Sequence, residues 1–151
     1  MHLHLGFDAQ GLEDVGLHHI VVKDWSVGVT APQNVVLISI PSVADPSLAP
    51  SGKHVLHAYY PATEPWSLWD GLDRRSPEYK VLKNARSKPL WEAVSRIIPD
   101  IEKRVEIEMV GTPLTHARFL RRHHGSYGPA WKAGSDTFPF GNTPIPGLFC
   151  C

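Results

Sequence analysis

Disulfide chemistry is the first thing this sequence lacks. Its 151 residues hold two cysteines, adjacent as Cys150 and Cys151, which excludes a disulfide framework and reads as thiols of a reducing compartment at the end of an apolar run. Charge of one sign is missing as well. Lys plus Arg and Asp plus Glu both number 15, so overall charge gives no argument for nucleic acid or for an acidic membrane as a partner. No apolar run approaches the ~20 residues of a membrane-spanning helix. The strongest, Val35 to Ile40, has the length of a strand. The first residues show neither a basic region followed by an apolar signal segment nor an Arg- and Ser-rich transit peptide, so any organelle import signal is expected to lie outside this chain. Catalytic fingerprints are absent too: there is no G-x-S-x-G elbow, no P-loop and no G-x-G-x-x-G, and Gly125-Ser126-Tyr127-Gly128 fits none of them.

What is present is an ordered series of short elements. His2 to Phe7 alternates polar and apolar residues with period two and predicts a strand facing Leu3, Leu5 and Phe7 to a core. Further strands are predicted at residues 19–23, 35–40 and 54–59, with a Pro- and Gly-containing turn region between the last two. Ser76-Pro77-Glu78 is a helix start, with a hydroxyl cap, a proline at the first helical position and an acid at the positive end. Leu90, Val94, Ile97, Ile98 and Ile101 recur at helical spacing, but Pro89 and Pro99 should divide the segment into two or three short helices. Residues 105–109 alternate again as a strand, Thr115 can cap a helix running to about Arg122, and residues 145–151 resume an extended apolar run. The segment from Gly125 to Gly147, rich in Gly, Pro and aromatics, should be an ordered irregular loop. Four strands, helices, strand, helix and strand suit an α+β fold, a mixed β-sheet with helices packed on it, better than alternating βαβ units.

Several side-chain groups invite chemistry, and each has a plainer reading. His2 and His4 share a strand face, but the sequence identifies no third or fourth ligand and the cysteines lack zinc-site spacing, so no metal site is expected. Arg118, Arg121, Arg122, His123 and His124 form a basic cluster that suits either a phosphate or, as the readier expectation, a solvated helix end. Trp66 and Trp69 fit a membrane surface or an apolar partner, yet aromatics three apart more often pack.

Longer motifs carry more. Ala31-Pro32-Gln33-Asn34-Val35-Val36, His57-Ala58-Tyr59 with Pro61-Ala62-Thr63-Glu64-Pro65-Trp66, Val110 to His116, Arg118 to His123, Gly125, Tyr127-Gly128-Pro129 and Thr143 to Leu148 together resemble the carotenoid isomerase (prolycopene isomerase) family, in order and over nearly the whole chain. That family is related to carotene desaturases and retinol saturase among the amine-oxidase-like flavoproteins. Ala117, His124 and Trp131-Lys132 depart from the family pattern.

The resemblance implies a parent that holds FAD between an N-terminal Rossmann half and a C-terminal return, with a substrate domain inserted. It implies that residues 1–144 are part of the substrate domain and that 145–151 begin a strand of the FAD-binding domain, stopping short of a flavin-contacting Gly-Asp loop, with Cys150 and Cys151 in its core. The implied reaction converts poly-cis-lycopene to all-trans-lycopene, moves no net electrons or protons, and acts on hydrocarbon. It therefore needs a flavin and an orienting channel more than acids and bases. Gly125, Tyr127 and Gly128 are the residues implied to approach the flavin or line the substrate channel, the alternative being a tight turn. The implied setting is the plastid or a cytoplasmic-side membrane periphery, with peripheral membrane contact and an apolar polyene or isoprenoid as partner. A related reductase or desaturase, or a non-enzymatic interaction module, remains as an alternative, and no catalysis is expected of these 151 residues alone.

Overall fold

Period-two alternation in five segments builds one sheet. The computed structural model describes residues 1–126, 134 and 141–149. Its strands are β1 (His2–Asp8), β2 (His18–Val22), β3 (Val35–Ser39), β4 (Lys53–Tyr59) and β5 (Val105–Gly111), in the spatial order β2-β3-β4-β1-β5. The α+β class holds. Every ladder is antiparallel, however, where a mixed sheet is expected.

One helix, α1 (Pro77–Ile97), covers one face of this sheet. Leu90, Ala93, Val94 and Ile98 are buried with Leu3, Leu5, Phe7, Val36, Ile38, Leu56 and Ala58 of the strands. Each of the larger side chains contributes about 1.5–3 kcal/mol through burial. The start of α1 is the predicted one: the Ser76 hydroxyl accepts from the Tyr79 amide at 3.1 Å, ahead of Pro77.

The break predicted at Pro89 does not occur; α1 runs through it for 21 residues. A proline inside a helix displaces carbonyls one turn back, and such helices persist where outside groups satisfy them. Pro89 leaves the Ala85 carbonyl without its helix donor; beside it the Arg86 carbonyl accepts from Tyr60 Oη at 3.0 Å and from Gln33 Nε2 at 3.2 Å, outside groups that brace the turn, and within the helix the Asn84 carbonyl accepts from Ser87 Oγ at 3.1 Å. Pro99 does separate α1 from the single turn α2 (Ile101–Arg104).

The cap of α3 (Pro113–Phe119) lies three residues earlier than expected, at Thr112 instead of Thr115. The two threonines form a reciprocal capping box: Thr112 Oγ1 accepts from the Thr115 amide at 3.3 Å and Thr115 Oγ1 from the Thr112 amide at 3.1 Å. Thr112 is fully buried and its hydroxyl lies 3.0 Å from Tyr79 Oη, which ties α3 to α1.

Residues 145–149 also depart from the predicted strand. Pro144, Pro146 and Gly147 (φ +79°) impose a turn, closed by a single bridge between Asn142 and Phe149, with Ile145, Leu148 and Phe149 exposed. Cys150 and Cys151 lie outside the described residues, as does most of the loop predicted from Gly125 to Gly147.

Candidate functional site

Among the described residues, no long helix covers the sheet face opposite α1; the short α3 reaches its end, where His116 meets His2. Alternation along β1 and β4 places His2, His4, His57 and Tyr59 there, and the antiparallel register sets His4 opposite His57 and His2 opposite Tyr59. The rings form a column. His4 and His57 stack at 4.3 Å between centroids with planes 2° apart, His57 and Tyr59 at 4.7 Å, and His2 and His57 at 5.0 Å. His2 Nδ1 and His57 Nε2 are hydrogen-bonded at 2.7 Å, one nitrogen donating and the other accepting. His116 of α3 closes on His2 at 4.3 Å. Among the described residues its Nε2 is buried and makes no hydrogen bond.

Burial disfavours the imidazolium form throughout this group. It is the main cause that pushes His2 down to about 2, helped by the Met1 amino group and the neighbouring imidazoles, and His57 down to about 4, helped by His4 and His116. His4 and His116 are lowered for the same first reason. At neutral pH the column is a set of uncharged nitrogen donors and acceptors.

Beside the column, where the ends of β1 and β4 meet α3 and the turn at 123–126, lies a cleft of about 190 Å³ lined by His2, Glu64, Trp66, His116, His124 and Gly125. Glu64 anchors its floor. That carboxylate, only 3% exposed, takes two 2.8 Å hydrogen bonds from the Arg86 guanidinium and one of 3.1 Å from Trp69 Nε1. Trp69 is fully buried, as the packing reading expects, and Trp66 stacks on His124 at 4.9 Å. The basic cluster is a solvated helix end: Arg118, Arg121, Arg122, His123 and His124 are all exposed.

Gly125 therefore borders this cleft; Tyr127 and Gly128 lie outside the described residues. At Gly125 the backbone is left-handed (φ +64°), and an added Cβ would stand 2.2 Å from the Pro113 carbonyl oxygen. The space that its missing side chain leaves is filled by the chain's own backbone. This bears on FAD, because a flavin cradle uses glycine to admit a ligand at a strand-to-helix turn, and the cleft is smaller than the ~300–1,000 Å³ of ordinary ligand pockets. The described residues do not form an FAD cradle by themselves.

The uncovered face also carries an apolar cleft of about 370 Å³, in which Gly6, Val55, Ile107 and Met109 adjoin His4 and His57. Ile107 and Met109 are each 61% exposed, and Ile20 of β2 is 67% exposed. No helix among the described residues is long and apolar enough to cross a membrane.

Sequence reasoning found His2 and His4 but missed His57 and His116 as their neighbours. The signal for His57 is its place in a strand that alternates like β1; its pairing with His4 rests on a register between strands more than 50 positions apart.

No family model matches the chain. Curated proteins do. It is 34% identical to the chloroplastic prolycopene isomerase of Arabidopsis thaliana over 98% of this chain and 25% of that protein. It is 35% identical to a chloroplastic prolycopene isomerase of an Oncidium hybrid cultivar over the same shares. Similarity also extends to the all-trans-retinol 13,14-reductase of Danio rerio, at 32% identity over 76% of this chain and 21% of that protein. The chain spans about a quarter of the length of the prolycopene isomerases it matches.

Proposed function

We propose, from the premise that this chain belongs to the carotenoid isomerase (prolycopene isomerase) family, that it forms part of the substrate domain of an FAD-dependent enzyme converting poly-cis-lycopene to all-trans-lycopene in the plastid. The observation that carries the reading is the family likeness over 98% of the chain. The uncovered apolar sheet face agrees with it. A polyene is hydrocarbon along its length, and an enzyme that turns its double bonds must keep it extended, dry and fixed against the reacting centre.

In this reading the outer face of β1, β4 and β5 is one wall of the polyene channel, with Val55, Ile107 and Met109 as its apolar contacts. His4 and His57, whose imidazoles burial holds in the neutral form, border the wall. The flavin is held chiefly by parts of the whole protein beyond these residues. Gly125, Tyr127 and Gly128 are proposed to lie at the flavin-facing or channel-lining side of the domain, which for Gly125 means through backbone, since Pro113 already occupies its side-chain space.

The test is a whole protein of the relatives' length, flavin-loaded under reducing conditions and given poly-cis-lycopene. The unmodified protein should yield all-trans-lycopene, and Met109→Glu, at an exposed position, should lower conversion at least about tenfold through the cost of a carboxylate against hydrocarbon. The likeness to a retinol reductase supports a second reading, reduction of another isoprenoid. Product mass separates the two, because isomerisation leaves the hydrogen count unchanged.

A further inference from the structure

Three imidazole nitrogens from His2, His4 and His57 lie within 4.8 Å of one another on one sheet face. An i, i+2 pair on one strand and the residue opposite on the next form a compact triangle, because cross-strand Cβ atoms stand only about 4.5–5.5 Å apart. His116 brings a fourth imidazole against His2, and its buried Nε2 forms no hydrogen bond among the described residues. A buried nitrogen without a partner is costly unless something supplies one.

We propose that His2, His4 and His57 bind a divalent transition-metal ion of the Zn²⁺ type, with His116 as the fourth nitrogen donor. All four donors are imidazoles, which suit zinc, copper and nickel better than calcium or magnesium. Zinc–nitrogen distances of about 2.0–2.1 Å in a tetrahedron put neighbouring donor atoms about 3.3 Å apart. His2 Nδ1 and His57 Nε2, hydrogen-bonded at 2.7 Å, need to part by roughly 0.6 Å to meet that spacing, and the near-parallel rings need to tilt toward a common point. Binding requires side-chain rotation for both movements and to draw in any donors standing as far apart as 4.8 Å, and the ion replaces the hydrogen bond it displaces. The inference rests on strand register and ring geometry and does not depend on the proposed reaction.

Its test uses the full chain carrying Cys150→Ser and Cys151→Ser, so that the vicinal thiols contribute no ligand. Zn²⁺ binding is followed by calorimetry and Co²⁺ binding by visible absorbance, with far-UV circular dichroism confirming the fold of every variant. One equivalent should bind. Affinity should fall at least about tenfold in His57→Asn and in His4→Asn, a loss that follows even from removing a group that merely orients a metal ligand. His4 is the solvent-facing member of the column and so the safer substitution for folding. A control carrying His18→Asn and His19→Asn, on β2 away from the column, should bind as the parent does. The proposal is overturned if the folded chain takes up no stoichiometric ion, if folded His4→Asn keeps the parent affinity, or if the control loses the binding.

Discussion

Gly125 is held by two independent restraints, a left-handed backbone and the Pro113 carbonyl oxygen 2.2 Å from where a Cβ would stand. Gly125→Ala should therefore cost more than the roughly 1 kcal/mol of an unfavourable backbone alone, because a hard steric overlap adds to it. Chemical denaturation measures this directly, and an unchanged midpoint would mean that the turn at 123–126 does not pack on α3 as described. Glu64 makes a comparable case in polar form. Arg86→Met leaves a buried carboxylate with Trp69 as its remaining hydrogen-bond donor, and removing one partner of a buried pair typically costs about 3–5 kcal/mol. The expected outcome is a large fall in the denaturation midpoint; a change within error would place Glu64 in water.

At the scale of elements, α1 shows where local rules stop. Pro89 reads as a break because a proline removes a donor and crowds the preceding turn. The helix continues through it, and Tyr60 and Gln33, far from it in sequence, brace this turn at the neighbouring Arg86 carbonyl. Tyr60→Phe should cost about 1 kcal/mol, the usual net value of one hydrogen bond, measurable by urea denaturation. The strands and the start of α1 are legible because their signals are local: period two in β1 and β5, and Ser76-Pro77 at a helix entrance. Thr112 was passed over for Thr115 although it repeats the Ser76-Pro77 pattern. The Ile145 to Phe149 turn was misread because its apolar composition outweighed two prolines and a glycine. The histidine column was half legible, since His2 and His4 are two apart, whereas His57 and His116 arrive only through sheet register and the placement of α3.

Among the described residues the sheet joins a face covered by α1 to one that no long helix covers. Leu3, Leu5 and Phe7 of β1 close the core beneath α1, and the alternate residues present histidine and apolar side chains to the other side. That arrangement has a pH signature in the metal-free chain. Unfolded imidazoles take up protons as pH falls through about 6.5, while burial holds His57 neutral to about 4 and His2 to about 2 in the folded state, with His4, His116, Tyr59 and the Met1 amino group around them. Since the unfolded chain binds more protons in this window, stability is full above pH 6.5 and is lost progressively as pH falls below it. With a chelator present, the urea midpoint should drop between pH 7.5 and 5, and drop less in His57→Asn; a flat profile would show that the column is solvated. The polar residues of the family motifs are taken up by the fold. Gln33, Asn34, Glu64 and Thr112 make structural hydrogen bonds.

The central claim is that this domain serves polyene isomerisation, and product analysis of poly-cis-lycopene incubated with the whole flavin-loaded protein under reducing conditions tests it most directly. All-trans-lycopene of unchanged mass, with conversion suppressed by Met109→Glu, is the predicted result. A product that has gained or lost hydrogen, or no conversion by the fully flavinated protein, would contradict it.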